Sequence, residues 1–264
     1  MVREIYDNFA NFAKNERIEM SGHSKWETTH RQKEAVDAKR GAVFTKLGNI
    51  IAIAARGGTD PETNPNLAVA IEKAKAANMP AANVQRAIDR VADTNSAQLE
   101  EVLYEAYGPS GVGLIIEAAT DNRNRTFPEV RTAITKNGGN LAEPGAVSFG
   151  FSRKGVIRLN LSDQPENFAN SPDDLLLQVL DCGAEDADVE DNELTTYTEM
   201  KELHKVRENL VAAGLKVADA GLEYVAKNSV AISGDSVAKF EKLFDAVDDL
   251  DDVTNVWTNA EISE

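Results

Sequence analysis

From Trp26 to Ile88 the apolar positions recur three and four residues apart, as in Phe44, Leu47, Ile51 and Ala54, with almost no strand-like alternation. That spacing puts one apolar stripe on each of three or four helices and predicts an all-α segment ending near Ala92. Gly57-Gly58 is the expected stop of the second helix, because glycine accepts the left-handed backbone of a helix end. The next helix is expected near Pro65 to Asn78, and Pro80 suits the first turn of a short one after it.

Beyond the polar linker "DTNSAQ" the period changes. "VLYEAYGPSGVGLIIEAATD" reads as two strands around a turn at Gly108 to Gly111, and "TFPEVRTAITKNGG" as a helix capped by Thr126 with Glu129 reaching back and Gly138-Gly139 closing it. "AVSFGF" and "GVIRLN" are expected as two strands joined by a turn at Ser152 to Lys154, completing a β-β-α-β-β unit. A second α+β unit follows. It has a helix from about residue 172 to 182, an edge strand in "DVEDNELTTYTE", a helix with Leu203, Val206, Leu210 and Val211 on one face, and a strand in "LEYVAKNSVAI". The last helix, "DSVAKFEKLFDAVDDL", and the last strand, "DVTNVWT", have no partners of their own, so they must return to the earlier sheet. The expected architecture is α+β in three domains, the third inserted in the second. Its boundaries are 20–95 for the helical domain, 96–160 with 232–264 for the second and 161–231 for the insertion, with 1–19 as an extension.

Charge sharpens this division. The chain of 264 residues carries a formal charge of -16, but residues 161 to 264 hold 25 acidic against 7 basic residues. Within 21 to 58 the balance reverses to 3 against 7, so a polyanion would meet the protein near its N-terminus. No apolar run approaches the ~20 residues that span a bilayer, and the first nineteen residues lack the apolar core of a secretory signal. A cytoplasmic protein without membrane partners is expected. Cys182 is single and sits after "LLLQVL", which fits a buried thiol; His23, His30 and His204 have no metal-ligand spacing, so neither metal nor cofactor is expected. No nucleophile-base or paired-carboxylate constellation emerges, and "GPSGVG" lacks the Gly-Lys-Ser/Thr of a phosphate loop. The reading is of a protein that is not an enzyme.

Five ordered blocks, "MSGHSKW", "DAKRGAVFTKL", "AARGGTDPETNPNLAVAIEKAKAANMP", "YEAYGPSGVGLIIEAATDNRNRTFPEVR" and "GGNLAEPGAVSFGF", together resemble the YebC/PmpR family over about residues 20 to 260. The resemblance implies a helical N-terminal domain and two α+β domains around a cleft. It also implies cytoplasmic control of gene expression, as transcriptional DNA binding in some members and ribosome-associated support of translation in others. Because "MSGHSKW" is like the usual start of such proteins, Met20 is expected to be the functional initiator. The sequence departs from the family at Ala42, Gly48, Asn66, Ala68 and Ala81, where a basic residue is usual, so phosphate contacts are expected to be fewer.

The residues left to carry nucleic-acid binding are Lys25 and Trp26, a phosphate-reaching cation beside a ring that can stack on a base or anchor a core, and the basic set Arg31, Lys33, Lys39, Arg40, Lys46 and Arg56. Arg123 and Arg125 join them, because "TDNRNRT" lies between a strand and a helix N-terminus where an anion can be received; the alternative is that these arginines pair with nearby carboxylates. The acidic run near 245 to 252 reads as a solvated face, and the acidic domains as a surface for protein partners. Three functions follow as expectations: a DNA-binding transcriptional regulator, a ribosome-associated translation factor contacting ribosomal RNA and relieving stalled elongation, and an acidic protein-interaction scaffold.

Overall fold

The computed structural model describes residues 40–91, 99–166 and 171–263. Its first three helices are α1 (Arg40–Ala55), α2 (Pro65–Ala76) and α3 (Ala81–Asp89). The stripe expected on α1 is the one that packs: Ile51 and Ala55 meet Leu67, Ala70 and Ala74 of α2 and Ala87 and Ile88 of α3, with Phe44, Leu47 and Ala54 at the rim. Asn64 ties this bundle. Its side chain accepts the Leu67 N–H as the cap of α2, and its amide donates to the Ala54 and Gly58 carbonyls at 2.8 and 2.7 Å, closing the end of α1. Pro80 occupies the cap position of α3 rather than its first turn.

Strands β1 (Glu100–Tyr107) and β2 (Gly113–Thr120) form the expected antiparallel pair, followed by helix α4 (Arg123–Lys136) and a short strand β3 (Asn140–Ala142). The chain then leaves this sheet. It builds β4 (Phe151–Asn160), α5 (Pro172–Asp181), β5 (Asp186–Glu190), β6 (Glu193–Thr198), α6 (Leu203–Ala212) and β7 (Asp219–Ala226). After β8 (Val230–Ile232) and α7 (Asp235–Asp248) it re-enters the first sheet as β9 (Val253–Thr258) and ends in β10 (Ala260–Ile262), which pairs in parallel with β8. The sheet orders are β3-β1-β2-β9 and β5-β6-β4-β7. The fold is therefore α+β, a helical N-terminal domain with two α+β domains, the third inserted in the second.

Each four-stranded sheet has its own core. Alternate residues of β1 and β2, including Tyr104, Ala106, Leu114, Ile116 and Ala118, pack under Val130 and Ile134 of α4 and Phe240, Leu243 and Phe244 of α7. In the inserted domain Ile157, Leu159 and Leu194 meet Leu175 and Val179 of α5 and Leu203, Val206 and Leu210 of α6. Gly155 permits the approach of α6, since a Cβ there would lie 2.8 Å from Leu203 Cβ.

Several local expectations are corrected. The cap of α4 is Asn122, which accepts the Asn124 and Arg125 N–H groups, while Thr126 sits one turn inside and is buried. An asparagine two residues after a strand competes for the cap as well as any threonine, and periodicity cannot choose between them. "AVSFGF" is largely turns rather than a strand, and the backbone expected to turn at Ser152 to Lys154 runs straight through as β4, which pairs with β6 and β7 instead of joining the first sheet. "DVEDNELTTYTE" is a complete hairpin, turned at Asp191 with φ 52°, and "LEYVAKNSVAI" divides into β7 and β8 in different sheets. Val211 faces solvent, unlike Leu203, Val206 and Leu210. Cys182 is buried, as expected.

Candidate nucleic-acid interface

The helical domain meets the other two around a cleft of about 970 Å³, lined by apolar residues such as Val43, Phe244 and Trp257 and crossed by ion pairs of Lys46, Lys73 and Arg207. Lys46 projects from α1 to the C-terminal end of α7, where its ammonium donates to the Asp248 carboxylate at 2.7 Å and to the Asp248 carbonyl. From α2, Lys73 lies 3.2 Å from Asp219 and Glu72 pairs with Arg207 of α6. Arg90 approaches Asp121 at 3.9 Å. The apolar core of the helical domain stays separate from those of the other two, and these pairs help to join it to them.

Beside Asp121, α4 begins among carboxylates. Arg125 donates to both Asp252 oxygens, at 3.1 and 2.9 Å, and reaches Asp121 at 3.1 Å, contacts that hold its guanidinium firmly in the charged form. Asp252 also lies 2.5 Å from the Thr126 hydroxyl, which is 2.7 Å from that of Thr120, so one acid from the β9 approach fixes the start of α4. Arg123 donates through Nε to Glu100 at 2.5 Å and keeps most of its side chain in water.

Asp252→Ala is expected to lower stability by about 1 to 3 kcal/mol, because the buried Thr126 and Thr120 hydroxyls lose an ionised acceptor. Thermal unfolding would show it, with Asp252→Asn recovering part of the loss. If Arg125→Ala destabilises as much as Asp252→Ala, the buried hydroxyls are not the cause.

The expected binding residues divide as follows. Lys25, Trp26, Arg31, Lys33 and Lys39 lie outside the described residues, and Arg40 is the first residue of α1. Lys46 is committed to Asp248, and Arg56 donates to the Leu99 carbonyl at 3.1 Å with its side chain largely exposed. Arg123 and Arg125 stand one turn of helix apart at most, but remote in sequence from the α1 set. The acidic run near 245 to 252 is not simply solvated: Asp248 and Asp252 are the partners of Lys46 and Arg125. Lys73 and Arg207, which line the cleft, are not marked by any linear pattern, since Arg207 pairs with Glu72, 135 positions away, and Lys73 with Asp219 in another domain. Among the described residues no group of acidic, histidine or cysteine side chains is arranged to hold a metal ion, and no helix is long and apolar enough to cross a membrane.

Comparison with known proteins covers nearly the whole chain. Residues 24–94 match the TACO1/YebC protein N-terminal domain, and residues 99–260 match the TACO1/YebC second and third domain. A protein of Roseiflexus castenholzii named "Probable transcriptional regulatory protein" is 47% identical over 249 residues, covering 92% of this chain and 96% of its own. A namesake from Caldanaerobacter subterraneus is 43% identical over 247 residues, covering 93% of this chain and 100% of its own. The crystal structure of a conserved hypothetical protein, Aq1575, from Aquifex aeolicus superposes with a TM-score of 0.79 at 42% identity, over 88% of this chain and 94% of that one. With both parts of the family matched in order, the chain belongs to the TACO1/YebC family.

Proposed function

We propose that the protein is a cytoplasmic regulator of gene expression that works by binding nucleic acid, without catalysis, and acts on transcription through DNA. The observation that carries this reading is the charge division: 7 basic against 3 acidic residues within 21 to 58, in a chain of net charge -16. Relatives that share more than nine-tenths of the chain and carry the name of transcriptional regulators support it. Lys46, Lys73 and Arg90 spend their charge on Asp248, Asp219 and Asp121. Contact with phosphates therefore falls to Lys25, Arg31, Lys33, Lys39 and Arg40, assisted by Arg56. The acidic domains, with 25 acidic to 7 basic residues from 161 onward, repel the same polyanion and are left to meet protein.

Filter binding of duplex DNA at low and physiological salt tests this. Binding should fall steeply with salt, and replacing Lys25, Lys39 and Arg40 by alanine should flatten the slope of log K against log salt by up to about 2.7, at roughly 0.9 per phosphate contact. Salt-insensitive binding, or none, would overturn the reading. If instead the protein sediments with ribosomes and binds RNA but not duplex DNA, its regulation acts on translation.

A further inference from the structure

Helix α4 is the most basic of the described helices, with four cations, Arg123, Arg125, Arg131 and Lys136, against one carboxylate, Glu129. These charges are not equivalent. Successive residues turn by about 100°, which places Arg123, Phe127 and Arg131 along one flank, with Asn124 and Thr135 beside them and Glu129 on the opposite flank. Phe127 is 41% exposed, while the large aliphatic residues of the same helix, Val130 and Ile134, are fully buried. One side of its ring leans on Tyr104 of β1, with centroids 6.1 Å apart at 47°, so the ring is held from beneath while its outer part stays open.

The two arginines that bracket this ring remain available. Arg123 spends only its Nε on Glu100, and 62% of its side chain is exposed, leaving the terminal guanidinium nitrogens for another acceptor. Arg131 is exposed; the Thr135 hydroxyl donates to its backbone carbonyl at 2.8 Å, and among the described residues no ion pair or hydrogen bond is seen at its guanidinium. At a rise of about 1.5 Å per residue, each arginine stands about 6 Å along the axis from Phe127.

We infer that this Arg-Phe-Arg stripe is a contact site for single-stranded nucleic acid, in which an unpaired base stacks on Phe127 and the flanking phosphates are taken by Arg123 and Arg131. A duplex keeps its bases stacked inside and offers none to the ring, whereas a single strand presents both features the stripe complements. The inference rests on the nucleic-acid reading above but assigns a different surface and a different form of the ligand.

The probe is a fluorescein-labelled ten-residue oligouridylate, titrated with the full chain and followed by anisotropy across a series of KCl concentrations. Phe127→Ala should weaken binding roughly tenfold with an unchanged salt slope, as loss of a stacking platform does. Phe127→Tyr should bind as the natural protein does, and since both variants are compared by thermal melting, a folding defect would be seen directly. Arg131→Ala should weaken binding and lower the slope by about 0.7, the value for one single-strand phosphate. Affinity for a ten-base-pair duplex should be insensitive to Phe127→Ala.

If Phe127→Ala and Arg131→Ala bind the oligouridylate like the natural protein while the Lys25, Lys39 and Arg40 replacements abolish binding, the inference falls and the proposed function stands. Should the natural protein bind duplex but not the oligonucleotide, the inference also falls. Failure to bind either polymer at low salt would remove both.

Discussion

Glu105→Ala is expected to destabilise the protein by about 3 to 5 kcal/mol, enough to unfold much of the population of a marginally stable domain. Glu105 projects from β1 away from α4 and α7, is only 5% exposed, and has no cation paired with it among the described residues. Instead it accepts N–H groups from Gly145, Val147 and Ser148 at 2.8, 2.6 and 2.9 Å. Burial by itself would raise its pKa, but the three backbone donors outweigh that and hold the carboxyl below its ordinary value. Alanine removes an ionised acceptor and leaves three amides of one loop unsatisfied. Glutamine, with one carbonyl and a donor where an acceptor is needed, should recover less than half of the loss.

The same residue fixes a pH dependence. A carboxyl whose folded pKa is depressed contributes stability that is fully present above the unfolded value, about 4.3, and disappears as pH falls through the lower folded value. Chemical denaturation between pH 7 and pH 3 should therefore show a smaller acid loss in Glu105→Gln than in the natural protein. Hydrogen exchange at Val147 and Ser148 should accelerate in the variant. Parallel pH profiles and unchanged exchange at those two amides would show that the loop does not depend on this carboxylate.

That loop also marks where the sequence stops being legible. Periodicity found several long elements: the α1 stripe, the β1-β2 pair and the return of the last strand to the first sheet all follow from burying one face. "AVSFGF" misleads because its apolar residues are there for another purpose. Val147 and Phe151 plug the seam between the two sheets beside Ile115 and Trp257, while the intervening backbone turns to wrap the Glu105 carboxylate. A buried acid among strand residues is the only linear trace of this, and it says nothing about where its donors come from. The binding residues show the same limit. Clustering of Lys39, Arg40 and Lys46 is visible in the sequence, but that Lys46 turns to Asp248, 202 positions away, is a property of domain packing. Nothing in the sequence separates Phe127 from a core aromatic, whereas in the fold its ring meets Tyr104 and stays 41% exposed.

Arg158→Met is expected to cost about 3 to 5 kcal/mol, and the double variant Arg158→Met, Glu223→Leu distinctly less than the two single changes added together. The guanidinium is 5% exposed on the face of the inserted sheet away from its helices, and grips the Glu223 carboxylate in a two-point pair, with one limb at 2.7 Å. Gly221 stands between Asp219 and Glu223 on the same face of β7, and its missing side chain leaves room for the Lys73 ammonium, which a Cβ there would approach to 3.0 Å. Removing the arginine takes the two-point partner from Glu223 in a dry site and also removes a cation 3.5 Å from Glu193 and 4.0 Å from Asp219. Glu223→Leu is the milder change, because Arg158 keeps Glu193 and Asp219 as acceptors. In the double variant two apolar side chains fill the space of the pair, and Lys73, 3.2 Å from Asp219, still offsets one remaining carboxylate. Urea unfolding of the four proteins gives the coupling energy directly. Strictly additive losses would mean that each side chain is satisfied by other groups, and that the pair is not the unit holding this face together.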